Sequence, residues 1–171
     1  MLAAMRLSHF LYAASLVLLL AACSHIRPKP DIPVSRGPNP LHHHGEQAAN
    51  DVLFRAIGLV GTPYRYGGNT PEGGFDCSGL VGYVFRDTAG INLPRTSEEI
   101  SRIEATDVRR SDLESGDIVL FGGRGRTNHV GIYVGAGRFV HAPNEGGTVR
   151  LDYLDGAYWK NHFSGAKRIP F

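Results

Sequence analysis

Residues 116–142 read GDIVLFGGRGRTNHVGIYVGAGRFVHA. Three short runs rich in β-branched and aromatic residues stand in this stretch, at 118–121, 129–134 and 138–141, separated by glycine-rich turns. Runs of that length at hairpin spacing predict antiparallel strands. Residues 148–151 and 166–171 extend the pattern to a fourth strand and a possible closing one. The chain before this stretch has a different period. Ala49, Val52, Leu53, Ala56, Ile57 and Val60 recur at a spacing of three or four and predict a helix over 46–60, ended by Gly61-Thr62-Pro63. Leu80, Val81, Val84 and Phe85 predict a second helix over 76–89, with Gly90 as its C-cap. Ser97-Glu98-Glu99-Ile100 opens a short third. Helices first and an antiparallel sheet after them make an α+β domain.

The two histidines of the central stretch share a face only under one reading of its second turn. If the loop is Gly135-Ala136-Gly137, Val134 faces Arg138 and Gly131 faces His141. His129, two residues from Gly131, then lies diagonally across from His141, with backbones ~7–8 Å apart. A two-residue loop would put them on opposite faces. The glycine at each end of the triplet favours the three-residue loop.

Composition bounds the rest. The 171 residues carry a formal net charge of +2 and two cysteines. The charge is too small to suggest nucleic-acid binding, and two cysteines make neither a disulfide framework nor an all-cysteine zinc site. Residues 1–22 read as a secretory signal. Arg6 precedes the apolar run FLYAASLVLLLAA at 10–22, too short for the roughly 20 residues that span a bilayer. It ends in Leu20-Ala21-Ala22-Cys23, which resembles the bacterial lipobox and implies cleavage before Cys23 and acylation of that cysteine. Ser24, in place of an aspartate, favours the outer membrane. Residues 23–45 hold five prolines and read as an extended tether. His42-His43-His44 at its end is read as a polar linker rather than a metal site, because adjacent histidines on a flexible run have no preorganised geometry. Residues 46–171 form the domain.

Cys77 lies at the expected start of the second helix, where the macrodipole favours thiolate and free N–H groups suit an oxyanion. A cysteine nucleophile needs a base and a group to orient it. The His129 and His141 pair supplies candidates for both roles.

Six motifs in order then resemble the NlpC/P60 cysteine peptidases of bacterial cell walls. They are Gly61-Thr62-Pro63-Tyr64-Arg65-Tyr66-Gly67-Gly68, Phe75-Asp76-Cys77-Ser78-Gly79-Leu80-Val81, Leu93-Pro94-Arg95-Thr96-Ser97, Gly116-Asp117-Ile118-Val119-Leu120-Phe121, His129-Val130-Gly131-Ile132-Tyr133-Val134-Gly135 and Phe139-Val140-His141-Ala142. The resemblance covers about 48–171. It implies a papain-like fold, with Cys77 as nucleophile, His129 as base and His141 as the orienting residue. It implies Tyr64, rather than Tyr66, near the oxyanion or substrate. Asp76 and Ser78 would line the substrate cleft, with Asp76 meeting a substrate amine. The implied reaction is cleavage of amide bonds in peptidoglycan stem peptides or cross-links through a thioester, without metal or cofactor. The implied setting is the outer membrane of a Gram-negative bacterium, the domain facing the periplasm on its lipid anchor. No accessory wall-binding module is expected. A catalytically silent wall-binding lipoprotein would be expected to have lost the cysteine or a histidine, and all three are present. An acyltransferase or amidase of related fold is the remaining alternative.

Overall fold

A computed structural model describes residues 40–171, with side chains from Gly45 onward. The signal, Cys23 and most of the tether lie outside the described residues, as do the side chains of His42, His43 and His44. Helix α1 spans Pro40–Gly58. It starts earlier than 46, so the end of the expected tether is helical. Pro40 is the last proline before the domain, and proline is tolerated in a first helical turn, where its missing N–H costs nothing.

Two short strands, β1 (Asn69–Thr70) and β2 (Gly74–Phe75), form a small hairpin ahead of helix α2, Cys77–Ala89. Asp76 is the N-cap of α2 and Gly90, at φ 68°, its left-handed C-cap. Helix α3 (Ser97–Ser101) opens with a capping box between Thr96 and Glu99. The remaining elements are β3 (Thr106–Asp107), β4 (Ile118–Gly123), β5 (Arg126–Gly135), β6 (Arg138–His141), β7 (Arg150–Tyr153), the short helix α4 (Trp159–His162) and β8 (Phe163–Arg168). Six strands form one antiparallel sheet in the order β3-β8-β4-β5-β6-β7. The expected α+β architecture is the observed one. The fourth strand runs two residues later than 148–151 and the closing strand earlier than 166–171, because their true limits are set by partners rather than by composition.

Alternation along the strands divides the core. Ile118 and Leu120 of β4 join Val130, Ile132 and Val134 of β5 and Val140 of β6 against α1, α2 and α3. Val119, Phe121 and Phe139 face the other way, into a smaller cluster with Leu154 and Ala166, flanked by Trp159 and Phe163. β4 is therefore buried on both faces, which is why 118–121 is a continuous apolar run rather than an alternating one.

The hairpin between β5 and β6 departs from expectation in an instructive way. Its loop has two residues, Ala136 and Gly137, between the paired Gly135 and Arg138. Both have positive φ, 52° and 71°, the signature of a type I′ turn. The register then shifts between Tyr133 and Gly135, so Val134 is an extra residue. That bulge cancels the parity of the short loop, and Ile132 pairs with Val140. The two histidines keep the shared face.

Candidate active site

The two histidines meet directly. His129 Nε2 and His141 Nδ1 are 2.9 Å apart, with the rings nearly perpendicular at 88°. Gly131 makes this possible: a Cβ there would stand 2.8 Å from Phe139 Cδ2 and 3.3 Å from His141 Cβ. His129 pairs with Phe121 at the point where β4 and β5 slip register, leaving Asn128 as an extra residue just ahead of it. A bulge next to a site re-aims the side chain that follows.

His141 is fully buried and His129 half-buried. Burial, together with the facing His141 ring, depresses the His129 pKa to about 3. Burial depresses that of His141 to about 4, opposed by the Asp152 carboxylate. Both rings are thus neutral at pH 7 in the resting site. Negative charge arriving on a neighbouring sulfur would oppose both shifts.

Cys77 is the first residue of α2, as expected. Asp76 Oδ1 takes the Gly79 N–H at 2.7 Å, while the N–H groups of Cys77 and Ser78 stand in the turn that has no intrahelical partner. The close approach requires glycine at 79, since a Cβ there would lie 2.0 Å from the Gly68 carbonyl oxygen. The Sγ of Cys77 lies 3.3 Å from Ser97 Oγ in a hydrogen bond the sequence reading did not anticipate. A cavity of about 650 Å³ is lined by Tyr64, Asp76, Cys77, Ser78, Ser97 and residues 126–128, which run up to His129. A second, of about 480 Å³, is lined by Asn128, His129, Arg150 and Trp159. Asn128 borders both cavities.

Tyr64 and Tyr66 both line the larger cavity. Tyr64 is partly buried, and its pKa is raised by that burial and by nearby Cys77, whereas Tyr66 is 84% exposed. Asp76 and Ser78 also line it but are nearly buried. The Asp76 carboxylate is heavily engaged. Oδ1 accepts from Arg95 Nη1 at 2.9 Å and from Ser78 Oγ at 3.2 Å; Oδ2 accepts from Arg95 Nη2 at 2.6 Å and Gly67 N at 2.9 Å. Although its burial works the other way, the bonds from Arg95 and Gly79 hold its pKa below the usual carboxylate range. A substrate amine would share this carboxylate with Arg95.

Three side chains that the sequence reading did not place in the site complete it. Asp152 Oδ2 lies 3.0 Å from His141 Nε2 and accepts from Trp159 Nε1 at 2.8 Å and from Arg150 Nη2 at 3.1 Å. Trp159 also stacks on His129, with centroids 5.2 Å apart and planes at 28°. The pairing Phe139↔Asp152 would have exposed this cluster in the sequence, had the fourth strand been placed two residues later.

The NlpC/P60 family profile matches residues 61–168. Murein DD-endopeptidase MepH of Escherichia coli (strain K12) is 40% identical over 127 residues, covering 72% of this chain and 47% of MepH. The probable endopeptidase NlpC of the same organism is 39% identical over 155 residues, covering 89% of this chain and 94% of NlpC. The chain thus spans about half the length of MepH and nearly all of NlpC. A crystal structure of an NlpC/P60 family protein from Bacillus cereus ATCC 10987 superimposes with a TM-score of 0.68 at 30% identity, covering 72% of this chain and 40% of that one. Motif order, backbone likeness and pairwise identity agree on one assignment: the chain belongs to the NlpC/P60 family.

Proposed function

We propose that this chain is a cysteine endopeptidase that hydrolyses amide bonds in peptidoglycan peptides. The observation that carries the reading is the His129–His141 contact at 2.9 Å, together with a helix-start cysteine, in a chain 40% identical over 127 residues to a murein DD-endopeptidase. His129 Nδ1 takes the Cys77 thiol proton, since Nε2 is committed to His141. The thiolate attacks the amide carbonyl, and the Cys77 and Ser78 N–H groups, with the Tyr64 hydroxyl, receive the oxyanion. The His129 imidazolium protonates the leaving amine, leaving a thioester on Cys77. Water, with His129 as base, hydrolyses the thioester and restores the thiol. His141 holds the His129 ring. Asp76 and Ser78 frame the cleft, Asp76 sharing its charge with a substrate amine. No cofactor or metal enters these steps.

The favoured target is the D,D cross-link, the bond class named for MepH. The 1–22 signal and the lipobox-like Leu20-Ala21-Ala22-Cys23 support an outer-membrane lipoprotein whose domain, 46–171 by sequence, faces the periplasm on its 23–45 linker. Incubating the full chain with purified muropeptides, followed by mass spectrometry, tests the activity. Cross-linked dimers should fall to monomers, and Cys77→Ala should leave them intact. Shortened stems with dimers persisting would move the cut inside the stem, and intact substrate with wild type would refute the hydrolase reading. Labelled fatty acid retained on Cys23→Ala would refute the anchor.

A further inference from the structure

The chain of contacts behind His129 continues one residue past His141. β7 pairs with β6 so that Asp152 stands opposite Phe139, on the face that Phe139 shares with His141. Its Oδ2 receives His141 Nε2 at 3.0 Å, Trp159 Nε1 at 2.8 Å, and Arg150 Nε and Nη2 at 3.3 and 3.1 Å. Indole and guanidinium can only donate, so they hold the carboxylate as an acceptor. An ionised carboxylate has no proton to give, so His141 Nε2 must carry the hydrogen. His141 is fully buried, which holds its pKa at about 4, and Arg150 shares the Asp152 charge, so the ring is neutral and its Nδ1 is a lone pair. His129 Nε2, 2.9 Å from that lone pair, must therefore carry a hydrogen. The only basic nitrogen left on His129 is Nδ1.

We propose that Asp152 is a positioning residue that fixes the protonation pattern of the His129–His141 pair and so delivers His129 to Cys77 with Nδ1 as its free base. Trp159 reinforces the arrangement from both ends, donating to Asp152 while stacking on His129. When the thiol proton moves to Nδ1, His129 becomes a cation bonded to a neutral His141, whose far side is bonded to the Asp152 anion. The charge created is thus balanced through two hydrogen bonds. The catalytic consequence rests on the hydrolase reading; the protonation pattern does not.

The test is a long-range ¹H–¹⁵N correlation spectrum of the ¹⁵N-labelled full chain at pH 7, run beside peptide-resolved iodoacetamide labelling of Cys77. In wild type, His129 and His141 should both carry their proton on Nε2. Asp152→Leu, which removes the acceptor, should mix the tautomers of both rings. It should slow Cys77 alkylation roughly 10- to 100-fold, and lower kcat on muropeptides with KM little changed. Asp152→Asn keeps an acceptor for Trp159 and should restore part of the rate. A wild-type His129 protonated on Nδ1 overturns the proposal, whatever the variants do, and needs no folded variant to be read. So does a folded Asp152→Leu chain with the wild-type tautomers and an alkylation rate within twofold of wild type. Wild type with the expected tautomers that leaves murein uncut refutes the hydrolase reading and leaves this one standing.

Discussion

Replacing Asp76 separates two jobs done by one carboxylate. It caps α2 through Gly79, and it anchors Arg95 through a two-pronged bond at 2.9 and 2.6 Å. Loss of an N-cap to alanine costs about 1 kcal/mol. Hydrogen bonds to a charged group are worth about 1.5–3 kcal/mol when dry. Arg95 is 43% exposed, so solvent screening cuts its share to about 1 kcal/mol. The Asp76→Ala chain should therefore lose about 2–3 kcal/mol, including the stranded Gly67 N–H. Asp76→Asn keeps the cap but not the charge, and should lose about 1 kcal/mol, because asparagine caps as well as aspartate. Urea unfolding at pH 7, followed by circular dichroism, measures both. pH adds a further check. The folded pKa of Asp76 lies below 3.8, so its charge stabilises the fold above that value and the contribution is lost as pH falls through the folded pKa. The gap between wild type and Asp76→Asn should persist at pH 5, begin to narrow near 3.8 and close only below the folded pKa. Equal losses in the two variants, or a loss under about 0.5 kcal/mol for Asp76→Ala, would refute the division into cap and ion pair.

Other expectations follow from single contacts. Gly131→Ala drives a methyl to 2.8 Å from Phe139 and 2.9 Å from the Val140 carbonyl; it should cost about 1–3 kcal/mol and displace His141, with muropeptide turnover falling more than stability. Ala136→Asn relieves a non-glycine residue at φ 52° and should raise stability by about 0.5–1 kcal/mol, seen as a higher melting temperature. Both site histidines have folded pKa values below the ordinary 6.5, so the unfolded chain takes up protons first as the solution is acidified. Stability should be fully present above pH 6.5 and fall progressively towards pH 3–4, and His129→Gln should flatten that fall in a melting series. Trp159→Phe keeps a ring over His129 but removes the donor to Asp152; activity should drop while the fold survives, by turnover and circular dichroism.

The site was legible where local rules act. An aspartate before Cys77-Ser78-Gly79 announces a capped helix start, and capping needs only neighbours within one turn. The histidine pair was legible through strand parity, although the route differed: a two-residue turn plus a bulge at Val134 gave the alignment expected of a three-residue loop. Asp152 was not legible, because its meaning depends on β7 starting at Arg150 rather than 148, and strand limits are decided by the partner strand. Trp159 packs on Phe121 and Phe139, and that its indole N–H also reaches Asp152 follows from the placement of α4. Ser97, twenty residues from Cys77 in the chain, met it only through the docking of α3 beside α2.

The sequence by itself determined the α+β order, the helix-start position of Cys77, the shared face of the two histidines and the family, because periodicity, capping and motif spacing are written in short segments of chain. Only the tertiary structure decided which nitrogen faces which partner, that Asp76 is largely occupied by Arg95, and that a carboxylate from the edge strand β7 stands behind His141. Those facts depend on register and on buried hydrogen-bond geometry. Both are set by contacts between residues far apart in the chain, where a slip of one residue turns a side chain to the opposite face.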